Sequence, residues 1–562
     1  MVGSKKWEDI LWFGIILMTV IILNQLFGKA PFRWDLTEDQ RFTIQQPTKD
    51  LLNNLEDVVY IDVFLEEDLP SGFARLRKAI FETLEEFRLE ANGNLQYRFQ
   101  DPNLAKSDKA RQEFYFDLAQ KGISGSNVID KEDGKTTQKL VFPGAMVSFS
   151  GREAGVLLLK GNKGAGPEEQ LNQSIEGIEY ELAMAIRQIT QDRKKAIGFV
   201  QGHGELDSLD VIDIQSKLAE NYDLRKLRLE NEGSLVGLDA VFIAKPVKPF
   251  KEYEKYLLDQ YIMGGGKVLF FLDALRVNMD SVGGPGTFAF PYDTQLNDLL
   301  FKYGLRINLD LVVDGVAQKY PVVVGNVGNQ PQVRWLDWPF YPLANYLGKH
   351  PVVRNIDAVS MRFTSSIDTV KADGISKTPL LFSSRYSKKA PYPVKVSFND
   401  LRKQFNPESF NQGPIPLAYL LEGAFTSAYK NRILPSGSDA TKFRPDGISS
   451  KILVVSDGDF LRNDMNPRNG QPLPLGFDLQ SQLPAYANKD FITNALAYLT
   501  DDQGIINSRA KEVRIRPLDK FRVEEEKVKW RLINLVLPLF VLILYGVVRY
   551  YWRKRRFTRF TS

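Results

Sequence analysis

The stretch that most constrains this chain is Leu532–Val548, in which only Asn534 and Tyr545 carry polar side chains. Its length approaches the ~20 residues that a helix needs to cross a hydrocarbon core about 30 Å thick. Tyr550, Tyr551 and Trp552 follow, with rings that favour the headgroup level. The tail is basic, with Arg553, Lys554, Arg555 and Arg556 among its residues and no acidic residue from Arg549 onward. A buried core helix ending in a solvated basic face would be as apolar, but such a helix is rarely both terminal and followed by such a tail. The pattern predicts a membrane-spanning helix.

A second apolar run covers Ile10–Phe27, interrupted late by Asn24 and Gln25. A secretory signal with a small-residue cleavage site at Gly28-Lys-Ala30 competes with an uncleaved anchor. The run exceeds the 7–15 residues usual for a signal core, which favours the anchor. The basic tail predicts a cytoplasmic C-terminus by the excess of Lys and Arg on that side. Arg516, Lys520, Arg522, Lys527, Lys529 and Arg531 precede the same span and pull the other way. They are interspersed with Asp519 and Glu524–Glu526 and end a long domain, which translocates largely regardless of charge. The expected topology is two spans in the cytoplasmic (inner) membrane, both termini cytoplasmic and a large periplasmic region between.

At 562 residues the chain exceeds what one hydrophobic core supports, so several domains are expected. The formal net charge is +4, and the tail alone supplies more than that. The middle is therefore close to neutral and offers no nucleic-acid surface. The chain has no cysteine, which excludes disulfides, thiolate metal sites and cysteine nucleophiles together.

Val58–Leu65 reads as a strand, ending in the turn Asp68–Gly72. Phe73, Leu76, Ile80, Leu84 and Phe87 recur at helical spacing over Phe73–Ala91. A strand at Leu95–Phe99 follows, then a polar helix from Lys106 to Gln120. Strands at Lys139–Phe142, Ala145–Phe149 and Gly155–Leu159 lead to a helix over Leu171–Ile189. This order is that of a thioredoxin-like domain, here without Cys-x-x-Cys and so without its redox chemistry. Gly161–Gly166 resembles a phosphate loop only superficially, because its Lys163 is followed by Gly164 and not by Ser or Thr.

Further on, strands at Ile197–Val200, Leu224–Leu229, Ala240–Ala244 and Val268–Leu272 alternate with helices at Val211–Asn221 and Tyr253–Met263. Ile212, Ile214 and Leu218 are expected inward. The alternation predicts a parallel α/β sheet, which resumes at Lys451–Val455 before a helix at Asp490–Leu499. Between about 320 and 440, short runs at Pro321–Val324, Thr378–Phe382 and Val394–Phe398 read as a β-rich insertion. The predicted divisions are a cytoplasmic N-terminus over 1–9, a transmembrane helix over 10–27 and the thioredoxin-like domain over 30–191. The α/β domain takes 194–505, a juxtamembrane segment 506–531, a transmembrane helix 532–548 and the cytoplasmic tail 549–562.

Ligands of parallel sheets sit beyond the carboxyl ends of the strands. Gly202-His203-Gly204-Glu205, Asp273 and Asp457-Gly458-Asp459 all fall at such ends. His203, Glu205, Asp273, Asp457 and Asp459 are thus ligand-binding candidates expected in one crevice. Gly202, Gly204 and Gly458 are expected to form turns. The plainer alternative is that these segments only shape turns through side-chain-to-backbone bonds. No cofactor and no metal is expected. The two histidines lack His-Glu-x-x-His spacing, no Gly-x-Ser-x-Gly elbow exists, and Gly264–Lys267 is not a Walker motif.

Four segments carry a family resemblance: 58–87, Ala196–Asp207 (AIGFVQGHGELD), Ile452–Asp464 (ILVVSDGDFLRND) and Leu532–Gly546. On these, the chain resembles the gliding-motility ABC-transporter auxiliary proteins, the GldG family. That family sits in a wider transporter-auxiliary group whose central domain is related to one in intraflagellar transport proteins. The resemblance implies a non-catalytic membrane subunit, ligand-sensing or structural, that works with a separate ABC ATPase subunit and a permease subunit in Bacteroidetes-type gliding bacteria. It also implies an amidotransferase-like α/β domain with a possible sugar or small-molecule ligand. The different class of function left open is an anchored extracytoplasmic protein that binds or cleaves glycans through carboxylates at the strand ends. Asn534 and Pro538 are expected to face a partner helix in the membrane. Arg553, Lys554, Arg555 and Arg556 are expected to meet anionic lipid or the ATPase.

Overall fold

The computed structural model describes residues 7, 11–22, 43–65, 69–102, 107–132, 135–161, 166–191, 193–283, 285–328, 330–402, 406–510 and 520–557. Asn24, Gln25, 28–30, Asp68, Lys106, 162–165, Arg516, Asp519 and the tail beyond 557 lie outside them. Residues 1–512 form one compact unit and 513–562 another.

The first sheet contains β1 (Val59–Val63), β2 (Leu95–Phe99), β3 (Gly144–Phe149) and β4 (Arg152–Leu157) in the order β2-β1-β3-β4. β1 and β2 are parallel, whereas β3 runs against both β1 and β4. Helix α1 (Ser71–Glu90) turns Leu76, Ile80, Leu84 and Phe87 onto Val59, Ile61 and Val63 of β1. Helix α2 (Pro167–Thr190) adds Ile178, Leu182 and Ile186 to the same core. A hairpin of Ser126–Glu132 with Lys135–Val141 stands beside this sheet, and its first strand carried no clear sequence signal.

The second sheet has eight strands. Five are parallel: β5 (Lys195–Val200), β6 (Tyr222–Leu227), β7 (Ala240–Ala244), β8 (Lys267–Phe271) and, much later, a strand at Asp446–Val455. Before that last strand the chain adds β9 (Tyr346–Leu347), β10 (Ile375–Phe382) and β11 (Pro416–Thr426), which makes Asp446–Val455 β12. The full order is β9-β10-β11-β12-β8-β7-β5-β6. β9, β10 and β11 join antiparallel, so much of 320–440 extends the sheet. The remainder of that segment packs around Trp338, with Phe340, Tyr341 and Phe363, at the base of the hairpin Ala317–Val327/Gln330–Ala344.

Because side chains alternate across a strand, this sheet feeds two cores. Phe199, Phe242, Phe271, Leu453 and Val455 enter one; Val200, Val241, Ile243, Phe270 and Val454 enter the other. Helix α3 (Ile212–Ala219) and helix α5 (Asn488–Thr500) cover the first with Ile214, Leu218, Phe491, Ile492 and Leu496. Helix α4 (Glu252–Met263) covers the second with Leu257, Leu258 and Ile262. Burial on both faces explains why β7 and β8 read as unbroken apolar runs. Removing one such side chain, as in Phe242→Ala, costs about 3–5 kcal/mol.

Ile212 differs from expectation, being 39% exposed while Val211 is buried. Residues two apart on a helix lie about 200° apart, so Ile212 and Ile214 cannot share a face. The two lobes of this unit meet through α2 and α5. Ile505 and Ile506, just past α5, enter the core beneath the first sheet, and Arg187 Nη1 lies 2.7 Å from Asp501 Oδ1.

The second unit is helix α6 (Lys520–Phe557), 38 residues or about 57 Å at 1.5 Å per residue. Among the described residues it is the one helix long and apolar enough to cross a membrane, with mean hydropathy 2.2 over its apolar stretch. Leu11–Ile22 is a shorter apolar helix.

Candidate functional site

All five parallel strands point the same way, so the residues after β5, β7, β8 and β12 meet at one edge of the sheet. In chain order these strands lie 2-1-3-4-5, which puts the reversal of strand order between β5 and β7. The turn 202–205 follows β5, Lys245 follows β7, Asp273 follows β8, and Asp457–Asp459 follow β12.

Lys245 ties three of these ends together. Its Nζ lies 3.1 Å from Asp273 Oδ2 and forms an ion pair with Asp459. The Gly458 N–H donates to Asp273 Oδ1 at 2.6 Å. A Cβ on Gly458 would stand 2.8 Å from both Asp273 Oδ2 and Lys245 Cγ, so only glycine permits this approach. Asp457 accepts N–H bonds from Arg362 at 2.7 Å and from Asp459 at 2.8 Å. Arg362 in turn reaches Asp464 Oδ2 at 2.6 Å and lies over the Tyr341 ring. Arg462 Nε stands 3.2 Å from Asp459 Oδ1.

Burial and neighbouring charge give the three carboxyls different states. Burial raises Asp273 to about 6 against the pull of Lys245. Asp457 is driven well above the usual carboxylate range by burial and by the charges of Asp273 and Asp459. Burial opposes ionisation of Asp459 too, but Lys245 and Arg462 outweigh it and hold its pKa below normal. Lys245 is buried, yet the same two aspartates raise its pKa above the ordinary value. The cluster therefore sets the Lys245 ammonium between the carboxyls of Asp273 and Asp459, with Asp457, the least readily ionised of the three, beside them.

His203 and Glu205 belong to a separate cluster, not to the crevice shared with Asp457 and Asp459. Gly202 and Gly204 take φ of 129° and 76°, the left-handed region that glycine tolerates. A Cβ on Gly204 would lie 2.4 Å from Val247 Cγ2. His203 Nδ1 faces Glu205 Oε1 at 3.0 Å, and Nε2 faces Glu254 Oε2 of α4 at 3.1 Å. The ring stacks on Phe250 at 3.7 Å. Burial lowers the pKa of His203, but the hydrogen bonds to Glu205 and Glu254 outweigh it and raise it above 6.5. Among the described residues, no side-chain hydrogen bond or ion pair joins His203 or Glu205 to the aspartate cluster. The physical reason is that the His203 carbonyl is engaged by the N–H groups of Val247 and Lys248, which holds its turn toward α4.

A cavity of about 260 Å³ opens beside the aspartate cluster. Lys245, Asp273 and Asp459 line it, as do Arg276, Arg362 and Arg462, with Tyr292 and Tyr341 in its walls. Lys245 was legible by the rule that selected Asp273, since it directly follows the apolar run Ala240–Ala244. Arg276, Arg362 and Arg462 carried no such signal. Among the described residues no group of three His, Asp or Glu side chains is arranged to hold a metal ion. Asn534 and Pro538 sit four residues apart in α6, and Arg553, Lys554 and Arg555 are exposed near its end. Arg556 lies in the same helix.

Residues 194–495 match the family model described as "ABC-type uncharacterized transport system", and residues 38–148 match a domain of unknown function. An uncharacterized protein of Borreliella burgdorferi is 21% identical over 98% of this chain and 99% of its own length. The intraflagellar transport protein 52 homolog of Mus musculus is 32% identical over 108 residues, 19% of this chain and 22% of that protein. Among solved structures, the mmIFT52 N-terminal domain superposes with a TM-score of 0.31 and 16% identity, covering 54% of this chain and 97% of that domain.

Proposed function

Because this chain belongs to the ABC-type uncharacterized transport system family, we propose that it is the membrane-anchored, non-catalytic accessory subunit of an ABC transporter, working with a separate ATPase and permease. The family match across the whole α/β domain carries the reading. The absence of a Walker motif from the sequence agrees with an ATPase supplied by another chain. The apolar length of α6 supports anchoring.

The finer parts of the reading rest on narrower support. The order β2-β1-β3-β4 with β3 reversed favours a thioredoxin-like first lobe. The 2-1-3-4-5 parallel order is compatible with an amidotransferase-like second lobe. A second span at Ile10–Phe27, a periplasmic placement and a role in gliding rest on the sequence patterns described above. Glycan cleavage by paired carboxylates is not part of the proposal. That chemistry needs one free nucleophile or base beside one acid, and Lys245 already lies between Asp273 and Asp459.

The test is purification from native membranes in mild detergent, with identification of what co-elutes. An ATPase and a permease in stoichiometric amounts are expected. A chain that runs alone, under conditions that keep other ABC complexes intact, would overturn the proposal. Deleting the gene in its source organism and scoring surface movement tests the gliding assignment separately.

A further inference from the structure

The 260 Å³ cavity beside Lys245 is at the small end for a ligand site, and half of its lining residues are charged. Four cations, Lys245, Arg276, Arg362 and Arg462, face three carboxylates, Asp273, Asp280 and Asp459. Lys245 is engaged by Asp273 and Asp459, and Arg362 by Asp464, which stands outside this lining. Arg276 is exposed and has no ion-pair partner among the described residues.

Two lining residues each carry a buried polar atom that lacks a hydrogen bond: the donor Arg462 Nε and the acceptor Asp459 Oδ1. They are 3.2 Å apart, and Arg462 Nε also stands 3.5 Å from Asp210 Oδ1, but neither alignment makes a hydrogen bond. Buried polar groups in folded proteins are almost always satisfied, so an orphan donor and acceptor side by side call for a third group. A hydroxyl can accept from one and donate to the other. Leu275, Met279 and the Tyr292 and Tyr341 rings supply apolar wall for a short carbon skeleton.

The backbone adds an independent sign. Lys245 and Phe363, both lining the cavity, hold φ of 54° and 48°. Non-glycine residues rarely take such angles, and they concentrate where a fold holds side chains for a ligand.

We propose that this cavity binds a small hydroxylated organic anion, with its carboxylate or phosphate on Arg276 and a hydroxyl between Asp459 and Arg462. The site is independent of the transporter reading, since a chain could assemble with an ATPase and a permease whether or not it binds such a ligand.

The experiment is calorimetric titration of the purified full chain with glycerol 3-phosphate, malate, inorganic phosphate and uncharged glycerol. Glycerol 3-phosphate or malate is expected to bind at least tenfold more tightly than inorganic phosphate, and glycerol not to bind. Arg276→Gln, at an exposed position with no ion-pair partner among the described residues, is expected to fold normally and to weaken the bound anion about tenfold or more. The proposal is overturned if no anion binds, if glycerol binds as tightly as its phosphate, or if Arg276→Gln leaves affinity unchanged. Equal affinity for inorganic phosphate and the hydroxylated anions overturns the hydroxyl contact. Co-purification with transporter subunits, measured on the same variant, is expected to be unaffected, so failure here and failure of the transporter reading are distinguishable.

Discussion

Lys245 and Asp273, at the ends of two adjacent parallel strands, stand 3.1 Å apart, and the lysine makes this contact from a left-handed backbone at φ 54°. A strained residue of this kind costs about 1–3 kcal/mol and persists only where its surroundings hold it. Here the hold is electrostatic, because the same ammonium also pairs with Asp459. Lys245→Ala removes the one ammonium that, among the described residues, pairs with both buried carboxyls. It is expected to destabilise the protein by roughly 3–5 kcal/mol in urea unfolding monitored by fluorescence. A change below about 1 kcal/mol would mean that Arg462 and Arg362 suffice to neutralise the site.

Gly458 is expected to be nearly as sensitive for a different reason. Its φ is ordinary, so alanine is not excluded by backbone preference. The obstacle is the missing space at 2.8 Å from Asp273 Oδ2 and Lys245 Cγ. Gly458→Ala should cost about 1–3 kcal/mol, as overpacking typically does. It should also disturb the Gly458 N–H bond to Asp273. Gly202→Ala provides the contrast, since nothing lies within 4 Å of its Cβ and the penalty there comes from φ of 129° alone. Thermal unfolding of both variants measures the two effects separately.

The aspartates were legible in the sequence because each follows an apolar run that the parallel sheet buries on both faces. Lys245 is equally legible, since it directly follows the strand Ala240–Ala244, but it is a cation where the expected ligands are carboxylates and an imidazole. Placing His203 and Glu205 with Asp457 and Asp459 went wrong at the scale of a turn. Strand ends predict an edge of a sheet, whereas Val247 and Phe250 decide which side of that edge the His203 ring faces. Arg362 reaches the cavity through the packing of a distant segment, which no local spacing encodes, whereas Arg462 stands three residues after Asp459. β11 is obscure for another reason. It is an antiparallel addition with register shifts against both neighbours, so its burial pattern lacks a clean alternation.

His203 predicts a pH dependence with a definite sign. Glu205 from its own turn and Glu254 from α4 face its two ring nitrogens, and Phe250 covers one ring face. Its pKa is raised in the fold despite burial. The unfolded imidazole titrates near its ordinary value of about 6.5. The stabilisation from the protonated ring is therefore complete below that value and is lost as pH rises through the higher folded pKa. His203→Gln should be less stable than the parent at pH 6, and the difference should shrink toward pH 9. A gap that stays constant across this range would show that His203 acts by packing alone.

The C-terminal helix predicts the last outcome. Pro538 has no N–H, so the Asn534 carbonyl four residues earlier receives no helical bond from it. The Asn534 side chain adds an amide at the same level of the helix, four residues from Pro538 and thus on one face. In hydrocarbon, unsatisfied polar groups are expensive, and polar side chains in spans turn toward protein. A helix serving only as a tether gains nothing from either residue. Replacing both, as Asn534→Leu with Pro538→Leu, should leave membrane insertion and expression intact. It should weaken co-purification of transporter subunits by several-fold, in line with about 1 kcal/mol for an interhelical hydrogen bond. The measurement is subunit yield per copy of this chain from detergent-solubilised membranes, with the same two substitutions tested singly. Unchanged yield in the double variant would reduce Leu532–Val548 to a plain anchor and move the assembly contact to the lobes outside it.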